Sequence, residues 1–223
     1  MIKIMIIALF CVFRIYTSTA QNINWKSLNE NQTHIAYLNI GYDFGMTTQM
    51  GYGYKLKTFR MLLFNVDYSF PLGENIIDDF KTRLGGQIEI VDFHNFILTA
   101  KAYAIFRKYK NQYVDMSSFG SELAILIGYY RPTWHIAGEF GFDKSITTYL
   151  KHSDDMKKHF PNITNGWFLP SGGHFFYGLQ GSKTIGNNFE LSLRVGGLQA
   201  QKNEVNALLP YYAQLGFVWR FSK

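Results

Sequence analysis

The feature that most constrains this chain is a two-residue rhythm of apolar side chains. It is clearest in the C-terminal segment Tyr211–Phe221, Tyr-Tyr-Ala-Gln-Leu-Gly-Phe-Val-Trp-Arg-Phe. One parity carries Tyr211, Ala213, Leu215, Phe217, Trp219 and Phe221, and the other carries Tyr212, Gln214, Gly216, Val218 and Arg220. Successive side chains of a strand point to opposite faces, so this segment is a strand with one aromatic, greasy side. On the edge of a soluble sheet such a strand invites aggregation. Between lipid on one side and a packed polar lumen on the other it is at home.

The rhythm recurs, and counting it predicts about ten strands. They run over 34–44, 50–56, 62–70, 84–90, 96–107, 119–129, 134–143, 175–184, 190–195 and 211–221. The eighth is the least regular, because Phe176 breaks its alternation. The Gly-Tyr-Gly-Tyr run at 51–54 has the same period, with small residues on one face and rings on the other, which argues against a phosphate-binding loop. Connections at 56–58, 92–95, 131–133 and 186–188 are short. Those at 71–80, 108–117, 144–173 and 201–210 are longer, with the tight loop at 45–48 the short exception in their class. Strict alternation of short turns and long loops is the asymmetry of a closed up-and-down membrane barrel, and an even strand number puts both termini on the turn side. About 11 residues at roughly 3.3 Å, tilted near 40°, rise about 28 Å, enough for an apolar band of about 25 Å. A secreted sandwich or lipocalin-like barrel would instead have to make the sparse charged parity its entire solvent surface.

The N-terminus reads Met1-Ile2-Lys3, an apolar run Ile4–Phe13, then Ser18-Thr19-Ala20. That is the plan of a secretory signal peptide, interrupted only by Arg14. A run of about 10 residues is too short to span a bilayer as a helix, which takes roughly 20. The expected organisation is a leader over 1–20, a short periplasmic segment over 21–32 and a barrel over 33–223. Cys11 is the single cysteine and lies in the leader behind Ala8-Leu9-Phe10, a poor lipidation context. The mature chain then has no thiol, which removes disulfides, zinc-thiolate sites and cysteine catalysis. Hydropathy is near neutral although 17% of residues are aromatic, as alternation produces when half of each strand meets lipid. A net charge of +6 without a clustered basic face gives no support for nucleic-acid binding.

If the apolar parity faces outward, the lumen collects Asp43, Asp67, Glu89, Glu122, Glu139, Asp143 and Glu190. With them come Lys55, Arg83, Lys101, Arg107, Arg194 and Arg220. Around eight strands a barrel interior is closed by side chains, and open channels appear near sixteen, so ten strands lie close to the filled end. Unpaired charges in so narrow a lumen are costly, and an ion-paired plug is expected. A narrow pore for water or small ions is the alternative. Tyr42, Tyr68, Trp134, Trp219 and Phe221 fall near strand ends, where rings favour a membrane–water boundary.

The leader, the dyad repeats and the closing Phe217-Val218-Trp219-Arg220-Phe221 together resemble small bacterial outer-membrane β-barrels, over nearly the whole mature chain. The Asn- and Lys-rich style is compatible with a Bacteroidetes-type source. The resemblance implies an integral outer-membrane protein with both termini periplasmic. Its partners would be outer-membrane lipid and lipopolysaccharide, other outer-membrane proteins, and the barrel-assembly machinery, which would read Phe217, Trp219 and Phe221. Ser222 and Lys223 follow, a departure from members whose last residue is aromatic. The segment 21–33 is too short for the plug of a TonB-dependent transporter, and no room is left after Phe221 for a peptidoglycan-binding domain.

Barrels resembling the omptin proteases or the lipid A deacylases are enzymes, and here His152-Ser153-Asp154-Asp155 and, separately, Asp78-Asp79 invite the comparison. The first lies in the longest loop, with no frame to hold its geometry. The six histidines, His34, His94, His135, His152, His159 and His174, are scattered and make no metal-ligand pattern, and His135 is assigned to the lumen beside Glu139. No cofactor is expected. Within 145–160, Ile146, Tyr149, Leu150, Met156 and Phe160 recur at helical spacing until Pro161, which predicts a short amphipathic helix. Tyr149, Lys151, Lys157 and Lys158 are its candidate contacts, as a lid, to a partner or to anionic lipopolysaccharide. The expected function is therefore non-enzymatic, as an accessory or structural subunit of an outer-membrane complex or a surface-interaction protein. A narrow channel is one alternative, and a barrel-borne hydrolase is another.

Overall fold

The structure is a computed structural model that describes residues 23–222 apart from 57, 59, 74, 170–172 and 202–209. The expected leader lies outside the described residues. The strands are β1 (His34–Tyr42), β2 (Met46–Leu56), β3 (Leu62–Pro71), β4 (Asp79–Phe93), β5 (Phe96–Lys110), β6 (Val114–Arg131), β7 (Trp134–His152), β8 (Gly166–Phe168), β9 (Gly173–Ile185), β10 (Phe189–Ala200) and β11 (Tyr211–Phe221). One helical segment, α1 (Asp154–His159), and a 3-10 turn (Trp25–Ser27) complete the described elements.

Ten strands form a closed antiparallel ring, each pairing with its neighbour in sequence, and β1 with β11 shuts it in register from His34↔Phe221 to Tyr42↔Ala213. β8 stands outside the ring. It pairs with β7 from Thr148↔Phe168 to Leu150↔Gly166, past the point where β7 leaves β9 at Lys144↔Gly173. All ten segments expected from the rhythm are present. Alternation sorts the side chains as expected: outward Leu38, Phe64, Leu84, Ile127 and Leu193 are 43–62% exposed, whereas inward Asp67, Arg83, Glu122, Glu139 and Arg194 are buried. Among the described residues no helix is long and apolar enough to cross a membrane.

Two expectations are corrected. The helix predicted over 145–160 is mostly strand: 145–152 continues β7 and only Asp154–His159 is helical. The misleading spacing has a local cause. Gly120 pairs with Ser145 and Phe119 with Thr147, so Ile146 is the extra residue of a β-bulge. One inserted residue shifts the two-residue rhythm and imitates a helical step. Three consecutive β-branched residues, Ile146, Thr147 and Thr148, favour the strand. The long connection predicted at 108–117 is likewise a tight turn at 111–113, where the Asn111 side chain accepts hydrogen bonds from the N–H groups of Tyr113 and Val114, both at 2.9 Å. As a result β4 to β7 run 15, 15, 18 and 19 residues, whereas the other ring strands have 9 to 13. One wall of the barrel rises as a crest on the loop side.

Aromatic rings gather on the outer surface at both ends. On the loop side a chain runs from Phe70 through Tyr68, Phe80, Phe106, Phe119 and Trp167 to Tyr149, with successive centroids 5.0–6.2 Å apart. On the turn side Phe221 stacks on His34 at 5.3 Å and lies 4.7 Å from Trp219, and Tyr129 contacts Phe96 and Trp134 at 5.2 and 5.8 Å. Between the two rings of aromatics the outer surface is apolar, with exposed Leu38, Leu84, Ile125, Ile127 and Leu193 beside Phe140, Tyr177 and Phe217.

Candidate functional site

In the lumen, polar and charged side chains converge from every ring strand, and it divides into three levels. At the turn end the inward side chains include an apolar group: Ile35, Leu63, Ile97, Tyr130, Ala137 and Val218 form one buried cluster. Residues 23–32, within the segment expected over 21–32, turn into this end and fill it. Trp25 is fully buried, Ile23 and Leu28 pack beside it, and the Trp25 indole N–H donates to Thr99 Oγ1 at 3.0 Å. A buried indole needs such a partner. The segment is pinned around the ring. Asn24 donates its N–H to Glu190 Oε1 at 3.2 Å and its side-chain amide to the Arg131 carbonyl at 2.7 Å. Lys55 and Arg220 each donate to a carbonyl of the segment, those of Asn29 and Ser27, at 2.8 Å. Gln32 reaches the turn at Asn187 and Asn188, and Lys26 pairs with Asp92.

The middle level is hydrogen-bonded across the axis. Tyr103 donates to Asn65 Oδ1 at 3.1 Å, Asn65 donates to the Tyr37 hydroxyl at 3.1 Å, and Tyr37 donates to Asp67 at 3.3 Å. Asp67 also accepts from Arg83 Nε at 3.1 Å, and Arg83 Nη1 reaches Glu122 at 3.2 Å. Opposite them Glu139 accepts from Arg194 Nε at 2.5 Å and from the Tyr212 hydroxyl at 2.6 Å. Inward glycines make room for the rings. A Cβ on Gly51 would lie 2.1 Å from the Tyr37 ring, and one on Gly141 would lie 2.2 Å from Phe176. The irregular Phe176 of the eighth predicted strand is thus an inward residue that fills space left by a neighbouring glycine.

Above this level the lumen opens into a vestibule of about 230 Å³ at the loop end. Asp43, Lys81, Arg83, Arg107, Glu122 and Asp143 line it, with Phe44, Phe176 and Tyr212 among its walls. Each base has a carboxylate: Lys81 lies 3.0 Å from Asp143 and 4.0 Å from Asp43, and Arg107 lies 3.7 Å from Asp79. The Arg107 guanidinium also sits 4.3 Å over the Phe44 ring. Burial pushes the Asp43 carboxyl up, but Lys81, Arg83, Arg194 and Arg107 outweigh it and hold the group below the usual carboxylate range.

Of the predicted lumen residues, Asp67, Arg83 and Glu122 form one ion-paired group, Glu139 and Arg194 a second, and Glu190 and Arg220, 3.9 Å apart, a third at the turn end. Asp43 and Arg107 line the vestibule rather than the closed interior. Lys101 is buried but makes no ion pair among the described residues, and Glu89 lies apart from these groups. His135 is in the lumen, where it contacts Ser182 at 2.6 Å, Glu190 at 3.8 Å and the stacked ring of Tyr130 rather than Glu139. Phe217, Trp219 and Phe221 share the outward face of β11. Tyr149 and Lys151 sit on the β7 crest, and Lys157 and Lys158 on α1, paired with Asp154 and Asp155. In the His152–Asp155 cluster, Ser153 caps α1 by accepting from the Met156 N–H at 3.2 Å, while Asp154 and Asp155 occupy its exposed first turn. Asp78 and Asp79 pair with Lys110 and Arg107. The sequence reading missed the inward Trp25. A tryptophan among polar residues just ahead of the first strand was its only signal.

The fold and the lumen define the class: this is an all-β protein, a closed ten-stranded antiparallel up-and-down barrel with one extra strand. No family model matches the chain, and no characterised protein matches it in sequence.

Proposed function

We propose that the chain is an integral, non-enzymatic outer-membrane β-barrel of a Gram-negative bacterium, sealed to solutes and acting through its loop-side crest as a surface-interaction protein or a subunit of an outer-membrane assembly. The observation that carries this reading is the inverted distribution of side chains. Apolar residues cover the outside of the ring, and Asp67, Arg83, Glu122, Glu139, Glu190, Arg194 and Arg220 are buried inside. In water such a belt would far exceed the few hundred Å² of contiguous apolar surface that soluble monomers tolerate. Against hydrocarbon, with rings at both boundaries, it is the favoured arrangement. The lumen packing supports a sealed barrel rather than a channel, because Trp25 and its neighbours fill the turn end. Phe217, Trp219 and Phe221 would serve as the signal read by the barrel-assembly machinery.

The crest supports the interaction role. At about 3.3 Å per residue and a tilt near 40°, β7 climbs about 20 Å beyond the average height of the six shorter ring strands. The segments that follow β7 carry exposed Phe160, Trp167 and Leu169, with Lys151 on β7 and Lys157 and Lys158 on α1. Exposed rings beside lysines suit a partner protein or anionic lipopolysaccharide. The test is native electrophoresis of the protein extracted in mild detergent, beside a triple variant Phe160→Ser, Trp167→Ser, Leu169→Ser. A larger assembly lost in the variant supports the reading. A monomer that binds neither protein nor lipopolysaccharide overturns the interaction role.

A further inference from the structure

We propose that the loop-end vestibule is a binding site for a small zwitterionic solute, one molecule that carries an ammonium and a carboxylate and has about the size of a free amino acid. The starting point is what the ion pairs leave over. Arg83 is 2% exposed and spends Nε on Asp67 and Nη1 on Glu122, while its Nη2, also buried, has no partner among the described residues. Arg107 Nε is likewise buried without a partner. On the acceptor side Asp43 Oδ2 has no hydrogen bond and only the distant Lys81 ammonium at 4.0 Å. All three residues are among those that line the same cavity. Leaving buried donors and acceptors unmated is costly, so each such group asks for an occupant.

The chemistry of the lining selects the occupant. Lys81, Arg83, Arg107 and Arg194 are matched by Asp143, Asp67 with Glu122, Asp79 and Glu139. No large field of one sign is left to draw in a bare anion or a bare cation. The remaining hydrogen-bonding capacity has both signs: two guanidinium N–H groups for a carboxylate, and one carboxylate oxygen for an ammonium. A volume of about 230 Å³ lies below the ~300–1,000 Å³ of pockets for drug-sized ligands. Phe44 and Phe176 add apolar wall for a side chain. The groups stand on or beside strands whose neighbours lock them, as a preorganised site requires. Access is from the loop side alone, because the turn end is filled. The inference does not depend on the membrane reading.

The test is calorimetric titration of the full chain in detergent micelles with the standard α-amino acids. For any that bind, the corresponding amine and carboxylic acid follow at equal ionic strength. The expected result is saturable binding of at least one amino acid, with its amine and its acid each at least about tenfold weaker. Arg107→Gln and Asp43→Asn should each weaken it by about tenfold or more, the loss of one charged hydrogen bond. Circular dichroism and gel mobility without heating should show both variants still folded, and Asp43→Asn decides should Arg107→Gln misfold. A wild-type protein that saturates with none of them holds water only, and the proposal is wrong. Equal affinity for the plain acid, or folded variants that bind as wild type, would overturn it as well. Solubility without detergent would sink the membrane reading and leave this titration standing.

Discussion

The two ends of the lumen obey the same strand alternation and reach opposite outcomes. At the turn end Ile35, Leu63, Ile97 and Val218 point inward and would line a wet apolar hole if left alone, but residues 23–33 supply Trp25, Ile23 and Leu28 to cover them. At the loop end the inward positions are Asp43, Lys81, Arg107 and Asp143, and no segment among the described residues covers them. The difference teaches that alternation decides only which face of a strand looks inward. Whether that space is filled depends on what the flanking segments bring. The result is a cup, plugged below and, among the described residues, uncovered above.

Removing the plug's anchor should break this contrast most. Trp25→Ala leaves a large cavity and orphans Thr99, which together cost about 4–6 kcal/mol. Urea unfolding of the micellar protein measures the loss, and planar-bilayer recordings should turn from silent to leaky. A variant as stable and as silent as the wild type would mean the segment is ornamental. Next in size, Arg194→Met strands the buried Glu139 and should cost about 3–5 kcal/mol, with most of it recovered in the double variant Arg194→Met, Glu139→Leu. Failure of the second change to rescue would show that Arg194 serves the fold by more than its pairing. The smallest effect belongs to the crest. Ser153→Ala removes the α1 cap and should cost about 1 kcal/mol. Hydrogen exchange should rise at residues 154–159 while the unfolding midpoint of the barrel stays put.

Most of the fold was legible in the sequence because one force, the burial of alternate side chains on a single side, acts on every ring strand. Leu191, Leu193 and Val195 announce their face without tertiary knowledge, and so do Glu190, Ser192 and Arg194. What was not legible arises where that period fails. Ile146 sits at a bulge, and one unpaired residue turned a strand into an apparent helix. Asn111 closes a turn through its own side chain and hid the height of the crest. The charged lumen was foreseen as a set of residues but not as levels. Height depends on strand stagger, and that is fixed by pairing rather than composition. Trp25 was missed because a residue outside every strand has no period to betray it.

The most direct test of the proposed barrel is a nitroxide label at Leu193→Cys, in protein reconstituted into phospholipid vesicles. Its relaxation would be measured with oxygen and with a water-soluble nickel complex. An outward side chain in hydrocarbon meets oxygen far more readily than nickel, and that is the expected outcome. Free access of nickel to the label would contradict the lipid-facing wall and everything proposed from it.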